Sequence, residues 1–366
     1  MDIAFYGSSL LSSYWNGAAT YYRGLLQAVA AHGHRITFYE PDAYGRQEHR
    51  DIDPPDWADV VIWHATPEGV RSVVAGAPRA DVVVKASGVG VFDDELLVET
   101  MAAARPGALR IFWDVDAPAT LAQLAAAPEH PLRRVLPGLD YVLTYGGGDP
   151  VVRAYTGFGA RKCVPIYNAL DPSTHYRAPP LADYAADLSL LANRLPDREA
   201  RIETFFVDAA RRDPGQRFLL GGAGWGDKAL PQNIRAIGHV PTAQHNAFNC
   251  SAGAVLNVSR ENMATTGFSP ATRVFEAAGA GACLITDAWE GIELFLEPDS
   301  EVLVARDGAD VAAHLAALTP ARARAIGERA RTRVLAEHTY ARRAVLVDKL
   351  LRTAQVRDRA GVGAAV

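Results

Sequence analysis

In the stretch SPATRVFEAAGAGACLITD, Ser269 to Asp287, Glu276 is the one acid in an otherwise small and apolar helical run. A carboxylate there can accept two hydrogen bonds from a vicinal diol such as that of a ribose. The plainer reading is an ion pair with Arg273, one helical turn back. Ser269 is expected as the N-cap, with Pro270 in the first turn. The N–H groups of Ala271 to Arg273 would then point out of the helix start, where they suit a phosphate.

Other residues carry related chemistry. LLANRLPDRE ends a strand at Asn193 and opens a helix at Pro196. Arg194 and Arg198 in it could clamp a diphosphate through their guanidinium forks. The plainer reading is a surface set with Asp197 and Glu199. GGAGWGD follows the next strand, and its Gly222 and Gly224 permit close backbone approach to a ligand. It is not the G-x-G-x-x-G fingerprint, and a mobile turn would explain it equally.

Toward the N-terminus, GSSLLSSYWNGAATYY follows the first strand. It offers Ser8, Tyr14, Trp15 and Asn16 as the wall of a second pocket, the two aromatics as stacking surfaces. His64 ends one strand, and Asp114 and Asp116 end another in IFWDVDAPAT. His64 and Asp116 are candidate general bases. A hydrogen-bonded loop histidine and a helix N-cap are their ordinary alternatives. Asp-x-Asp can also hold a divalent cation. However, the residues suited to a diphosphate all lie in the other half, and no further carboxylates accompany the pair.

These residues follow strands, and the strands are regular. IAFYG, RITFYE, DVVIWHA, DVVVKAS, LRIFWDV, YVLTYGG and KCVPIYN alternate with helical patterns. ADLSLLANR, RFLLGGAG, IRAIGHV, AGAVLNVSR, ACLITD and EVLVA repeat the scheme. Near-continuous apolarity suits strands buried on both faces. The alternation predicts an α/β protein of two Rossmann-like domains facing a central cleft, with ligands at the carboxyl ends of the strands. NALDPSTHYRAPPLADYAAD breaks the pattern. The expected boundaries are residues 1–168 and 185–338, with a linker near 168–184. A C-terminal helix and tail over 339–366 should pack back toward the first domain. Helix is expected from Ala321 to Arg359, and the closing AGVGAAV is expected to fray.

Composition limits the rest. The chain has 366 residues and a net charge of −5, which argues against nucleic acid as a partner. The three cysteines, Cys163, Cys250 and Cys283, are far apart and show no metal spacing. A reduced, cytoplasmic setting is the expectation. MDIAFYGSSLL reads as a first strand rather than a signal peptide, and no apolar run reaches membrane-spanning length.

Taken together, the chain resembles the glycosyltransferases of the GT-B fold, and within them the group similar to spore maturation protein CgeB. LNVSRENM and GFSPATRVFEAAGAGACLITDAWEGIELFLEPDSEVLVA look like that group's C-terminal signature. SLLANRLPDRE, RAIGHVP, FWDVDAPATL and the linker-like NALDPSTHYR extend the likeness over roughly residues 110–305. The resemblance implies a nucleoside-diphosphate sugar bound by the C-terminal domain and an acceptor bound by the N-terminal one. It implies ribose contact for Glu276 and base contact for Gly238 to Val240, His239 included. It implies diphosphate contact for Arg194, Arg198 and the turn Ser269, Ala271 and Thr272, with Gly222, Gly224 and Arg260 completing the donor site. Catalysis would need no metal and no cofactor. Phe268 stands where many retaining members carry the first acid of Glu-x7-Glu, so inversion or retention stays open. Two other activities fit the same residues: a nucleotide-sugar 2-epimerase, and a nucleotide-sugar-binding protein without turnover.

Overall fold

The computed structural model describes residues 1–14 and 16–362. Trp15 and residues 363–366, the end of the segment expected to fray, lie outside the described residues. The chain divides into two compact units. One is Met1–Tyr167 together with the C-terminal segment from Tyr340, and the other is Asn168–Thr339. Residues 168–184, expected as a linker, fold with the second unit.

Among its described residues the first unit holds seven strands: β1 Asp2–Tyr6, β2 Arg35–Asp42, β3 Ala58–His64, β4 Val82–Ala86, β5 Leu109–Asp114, β6 Tyr141–Thr144 and β7 Cys163–Pro165. They form one parallel sheet in the order β3-β2-β1-β4-β5-β6-β7. The inner strands are apolar along their length because helices cover both faces. All five residues of β4 are buried, including Lys85, whose ammonium donates to Asp93 at 2.6 Å. Edge strand β3 instead leaves Val61 and Ile62 exposed.

The second unit repeats the plan with six strands: β8 Ala186–Leu191, β9 Phe218–Gly221, β10 Ile234–Gly238, β11 Ala252–Asn257, β12 Leu284–Asp287 and β13 Leu303–Ala305. Their order is β10-β9-β8-β11-β12-β13, again all parallel. Leu188, Leu190, Leu220, Leu256 and Ile285 form the centre of its core on one face.

In both sheets the order reverses once, between β1 and β4 and between β8 and β11. Helices on either side of such a switch point leave on opposite faces and open a crevice at the carboxyl ends of the strands.

The expected helix from Ala321 to Arg359 is broken in two, Pro320–Glu337 and Tyr340–Val362. At the break the Leu170 amide donates to His338 O at 2.8 Å, and Thr339 bridges Leu170. These tertiary backbone bonds hold the two residues out of helix. The last helix rests on the helix Ala18–Ala30: a Cβ on Gly24 would lie 2.2 Å from the Tyr340 ring, so only glycine admits this approach. His34 and Asp348 meet at 2.8 Å beside it.

Candidate functional site

At the switch point of the second unit, β8 runs out through Ala192, Asn193 and Arg194. The Arg194 guanidinium reaches Glu199 at 2.8 Å and Asp227 at 2.9 Å. Arg194 holds the Glu199 carboxyl down to about 2, helped by Lys228 at 2.9 Å. The pairing is therefore with Glu199 and Asp227, and an incoming anion must replace carboxylates to reach this arginine. Arg198 is half-buried in the first turn of the helix Pro196–Ile202.

The glycine segment is pinned rather than loose. The Gly222 amide donates to Gly238 O at 2.7 Å, Trp225 Nε1 to Ala192 O at 2.8 Å, and the Ala223 amide to Asn193 Oδ1 at 3.0 Å. Gly222 has φ +120, and a Cβ there would lie 2.1 Å from Ala192 O. Gly224 is also left-handed, with φ +89. Beyond β10, His239 is exposed and Val240 buried.

β11 leads through Ser259 and the half-buried Arg260 into a short helix, Glu261–Thr266. Buried Asp287 at the end of β12 locks this exit. It accepts from the Ser259 amide at 3.0 Å, the Ser259 hydroxyl at 3.1 Å and Arg201 at 2.6 Å. Gly267 and Phe268 then take φ of 72 and 47, and the Phe268 amide donates to Glu290 O at 2.6 Å.

Ser269 is not the N-cap of the next helix. That helix is Thr272–Gly279, its N-cap is Ala271, and no side chain caps it. The Ser269 hydroxyl donates back to Gly267 O at 2.9 Å. Pro270 likewise stays outside the helix, because its carbonyl accepts from Asn168 Nδ2 at 3.0 Å. A contact from a distant segment takes the carbonyl that an earlier helix start would have used. The outward amides are thus those of Thr272 and Arg273, not that of Ala271.

Glu276 lies in the second turn of this helix, with its side chain 14% exposed. Arg273 Nη1 stands 3.5 Å from Oε2, and His175 Nε2 stands 3.8 Å from Oε1. Burial favours the neutral acid, but Arg273, His175, His245 and Thr272 outweigh it and lower the pKa below the usual glutamate value. Burial, reinforced by Arg273, pushes His245 down to about 4. The carboxylate is therefore ionised at neutral pH while its neighbour His245 is neutral. Ion-pair distances beyond hydrogen-bond length leave lone pairs for a ligand's hydroxyl donors. Sequence reading found Glu276 and Arg273 but neither histidine. Their positions in PSTHYR and AQHNAF show no spacing to Glu276, and only the fold brings them together.

In the first unit, Asp114 is a structural acid. Its Oδ1 accepts from the Ser87 hydroxyl at 2.7 Å, the Asp116 amide at 3.0 Å and the Thr120 hydroxyl at 3.0 Å, and Tyr155 donates to Oδ2. Burial raises its pKa against these bonds. Asp116 sits at the N-cap position of the helix Ala117–Ala126, half-buried, without capping it through its side chain. His64 is exposed at the carboxyl end of β3. Three strands, β2, β1 and β4, separate β3 from β5. At strand spacing that is roughly 19 Å, so His64 and Asp116 cannot serve one atom together.

Ser8 and Asn16 are both buried and bonded to each other at 3.1 Å, and Asn16 Nδ2 donates to Ser9 O at 3.0 Å. They shape the loop. Tyr14 is exposed and stacked on His49 with ring centroids 4.1 Å apart. Buried Glu40 escaped notice in the sequence: its Oε2 accepts from the Leu10 amide at 2.6 Å and the Leu11 amide at 3.2 Å, setting the loop's path. Among the described residues no group of three or more His, Cys, Asp and Glu could hold a metal ion. Among them, too, no helix is long and apolar enough to cross a membrane.

This two-sheet α/β architecture is similar to that of solved glycosyltransferases. Residues 198–349 match a family model described as glycosyl transferase-like. Sucrose-phosphate synthase from Thermosynechococcus elongatus superposes with a TM-score of 0.72 at 15% identity, over 96% of this chain and 98% of that one. HepE from Anabaena, in complex with UDP and glucose, gives 0.66 at 15% identity over 96% and 100%. An alpha-glucosyltransferase in complex with UDP and DNA gives 0.69 at 9% identity over 96% and 99%. No curated protein sequence matches the chain. At these identities the superpositions establish the α/β two-domain fold. The glycosyl transferase-like stretch contains Arg198, the glycine turn, Arg260 and Glu276.

Proposed function

We propose that this protein is a glycosyltransferase of the group similar to spore maturation protein CgeB, moving a sugar from a nucleoside-diphosphate sugar to an acceptor. One observation carries the reading. Glu276 is an ionised, largely buried carboxylate in the second turn of a helix that follows a switch-point strand, and its charged neighbours Arg273 and His175 stand 3.5 and 3.8 Å away, which leaves lone pairs open beside the bond from Thr272. Such a group suits two hydroxyl donors on adjacent carbons, which a ribose presents.

The remaining roles follow from position. Arg198, Arg260 and the helix-start amides after Ser269 and Ala271, beginning at Thr272, meet the diphosphate, and Arg194 joins them once the anion displaces Glu199 and Asp227. Positive charge fixed there stabilises the negative charge that develops on the leaving group. Gly222 and Gly224 give the nucleotide close access to backbone, and His239 and Val240 border the base. In the first unit the acceptor is assigned to the loop that Ser8 and Asn16 shape, with Tyr14 and Trp15 as its proposed stacking residues. Asp116 is the preferred base: it stands near the switch point of its sheet, whereas His64 stands at the edge. The donor is a co-substrate, and the reaction uses neither cofactor nor metal. Its setting is the cytoplasm, and neither nucleic acid nor a membrane span is part of its work.

The test is calorimetry with nucleoside diphosphates on the wild type and on Glu276→Ala. A charge-assisted hydrogen bond contributes about 1.5–3 kcal/mol, so affinity should fall about ten- to a hundredfold. A folded Glu276→Ala protein that binds as tightly as wild type would remove Glu276 from the ribose site.

A further inference from the structure

Glu276 needs more than charge to receive a diol: it needs a fixed direction. Arg273 cannot supply this alone, because it rides on the same helix. The segment Asn168 to His175 can. Asn168 Nδ2 holds Pro270 O just before the helix, at 3.0 Å. At the helix end, Gly279 packs so closely that a Cβ would lie 2.3 Å from Leu170 Cδ1 and 3.2 Å from His175 O. Between these two points His175 Nε2 faces Glu276 Oε1 at 3.8 Å.

His175 is itself immobilised. Its amide donates to Asp171 O at 3.0 Å, and its Nδ1 lies 2.9 Å from Thr174 Oγ1. Asn246 fastens the residues on either side, donating to Thr174 O at 2.8 Å and accepting from the Tyr176 amide at 3.1 Å. The other groups facing Glu276 are Arg273 and Thr272 from its own helix and His245 from the helix His245–Ser251. His245 is neutral at physiological pH, and its Nε2 is taken up by Val240 O at 3.2 Å.

We propose, resting on the donor-binding reading of Glu276, that His175 is a positioning residue. From the segment that enters the second unit it aims the Glu276 carboxylate, and it sets affinity for the donor's ribose without touching the donor. A residue acting through another must lose its effect when that other is gone. This separates positioning from general structural support, which would cost the same in either background.

The experiment is a double-mutant cycle. His175→Ala, Glu276→Ala and the double variant are titrated calorimetrically with whichever of UDP, GDP, CDP or ADP binds the wild type most tightly. His175→Ala should weaken binding about three- to tenfold in the wild type and less than about twofold once Glu276 is alanine. His175→Gln, which keeps a donor group, should recover most of the loss; it replaces His175→Ala in the cycle if the alanine variant does not fold. An equal penalty in both backgrounds, or no penalty in the wild type, overturns the inference while leaving the donor reading standing. An unchanged affinity in Glu276→Ala, or no binding of any of the four diphosphates, overturns both.

Discussion

Among single residues, Glu276 and His245 show how burial and charge divide ionisation between neighbours. Both lose solvent: burial, reinforced by Arg273, takes the charge from the imidazole, whereas Arg273 and its neighbours let the carboxylate keep its charge against burial. Linkage makes this measurable. His245 falls from its ordinary 6.5 to about 4 in the folded protein, so between those values the unfolded chain binds more protons. Its contribution to stability is complete above pH 6.5 and is lost as pH falls toward about 4. Denaturant unfolding of wild type and His245→Asn, followed from neutral pH into this window, should show the wild type losing stability more steeply. Parallel slopes would mean that His245 titrates normally. Glu276 was legible in the sequence because an acid breaks an apolar helical run. His245 was not, since a histidine in a polar segment carries no mark of what it will face.

At the scale of elements, the strands among the described residues follow the apolar runs closely, because an inner parallel strand covered on both faces must be largely apolar. What joins the strands departs more. The helix holding Glu276 starts later than its Ser and Pro suggest, since Asn168 takes the Pro270 carbonyl. GGAGWGD proves to be a close-packed turn rather than a slack one. Gly222→Ala should therefore destabilise the protein by at least about 2 kcal/mol, combining a left-handed backbone with a clash against Ala192 O. Gly226 is the control, because a Cβ added there would meet nothing within 4 Å and its φ is not positive. Gly226→Ala should change the unfolding free energy by no more than about 0.5 kcal/mol. Equal effects from the two substitutions would show that the segment tolerates side chains and does not require this geometry.

For the molecule as a whole, two sheets of one plan carry different chemistry. The second places arginines and helix-start amides at its switch point. The first places Asp114 and Asp116 one strand beyond its own, after β5, and Asp114 spends both oxygens on Ser87, Asp116, Thr120 and Tyr155. An acid so committed is poorly suited to a cation. Transfer activity, or hydrolysis of the donor without an acceptor, should accordingly persist in EDTA and be indifferent to added magnesium or manganese. Activity abolished by chelation and restored by metal would assign a cation to the reaction and reopen the Asp pair as a ligand set.

The sequence by itself determined what depends on local pattern. Apolar runs alternating with helical periods specify parallel strands with crossover helices, and the fixed hand of such crossovers leaves few ways to arrange them. Residues placed just after strand ends therefore pointed to the candidate sites. Only the tertiary structure decided which of them meet. It brought His175 and His245 to Glu276, gave Arg194 to Glu199 and Asp227, and separated His64 from Asp116 by three strands. Such meetings depend on strand order and on contacts between residues far apart in the chain, and neither leaves a periodic trace in the sequence.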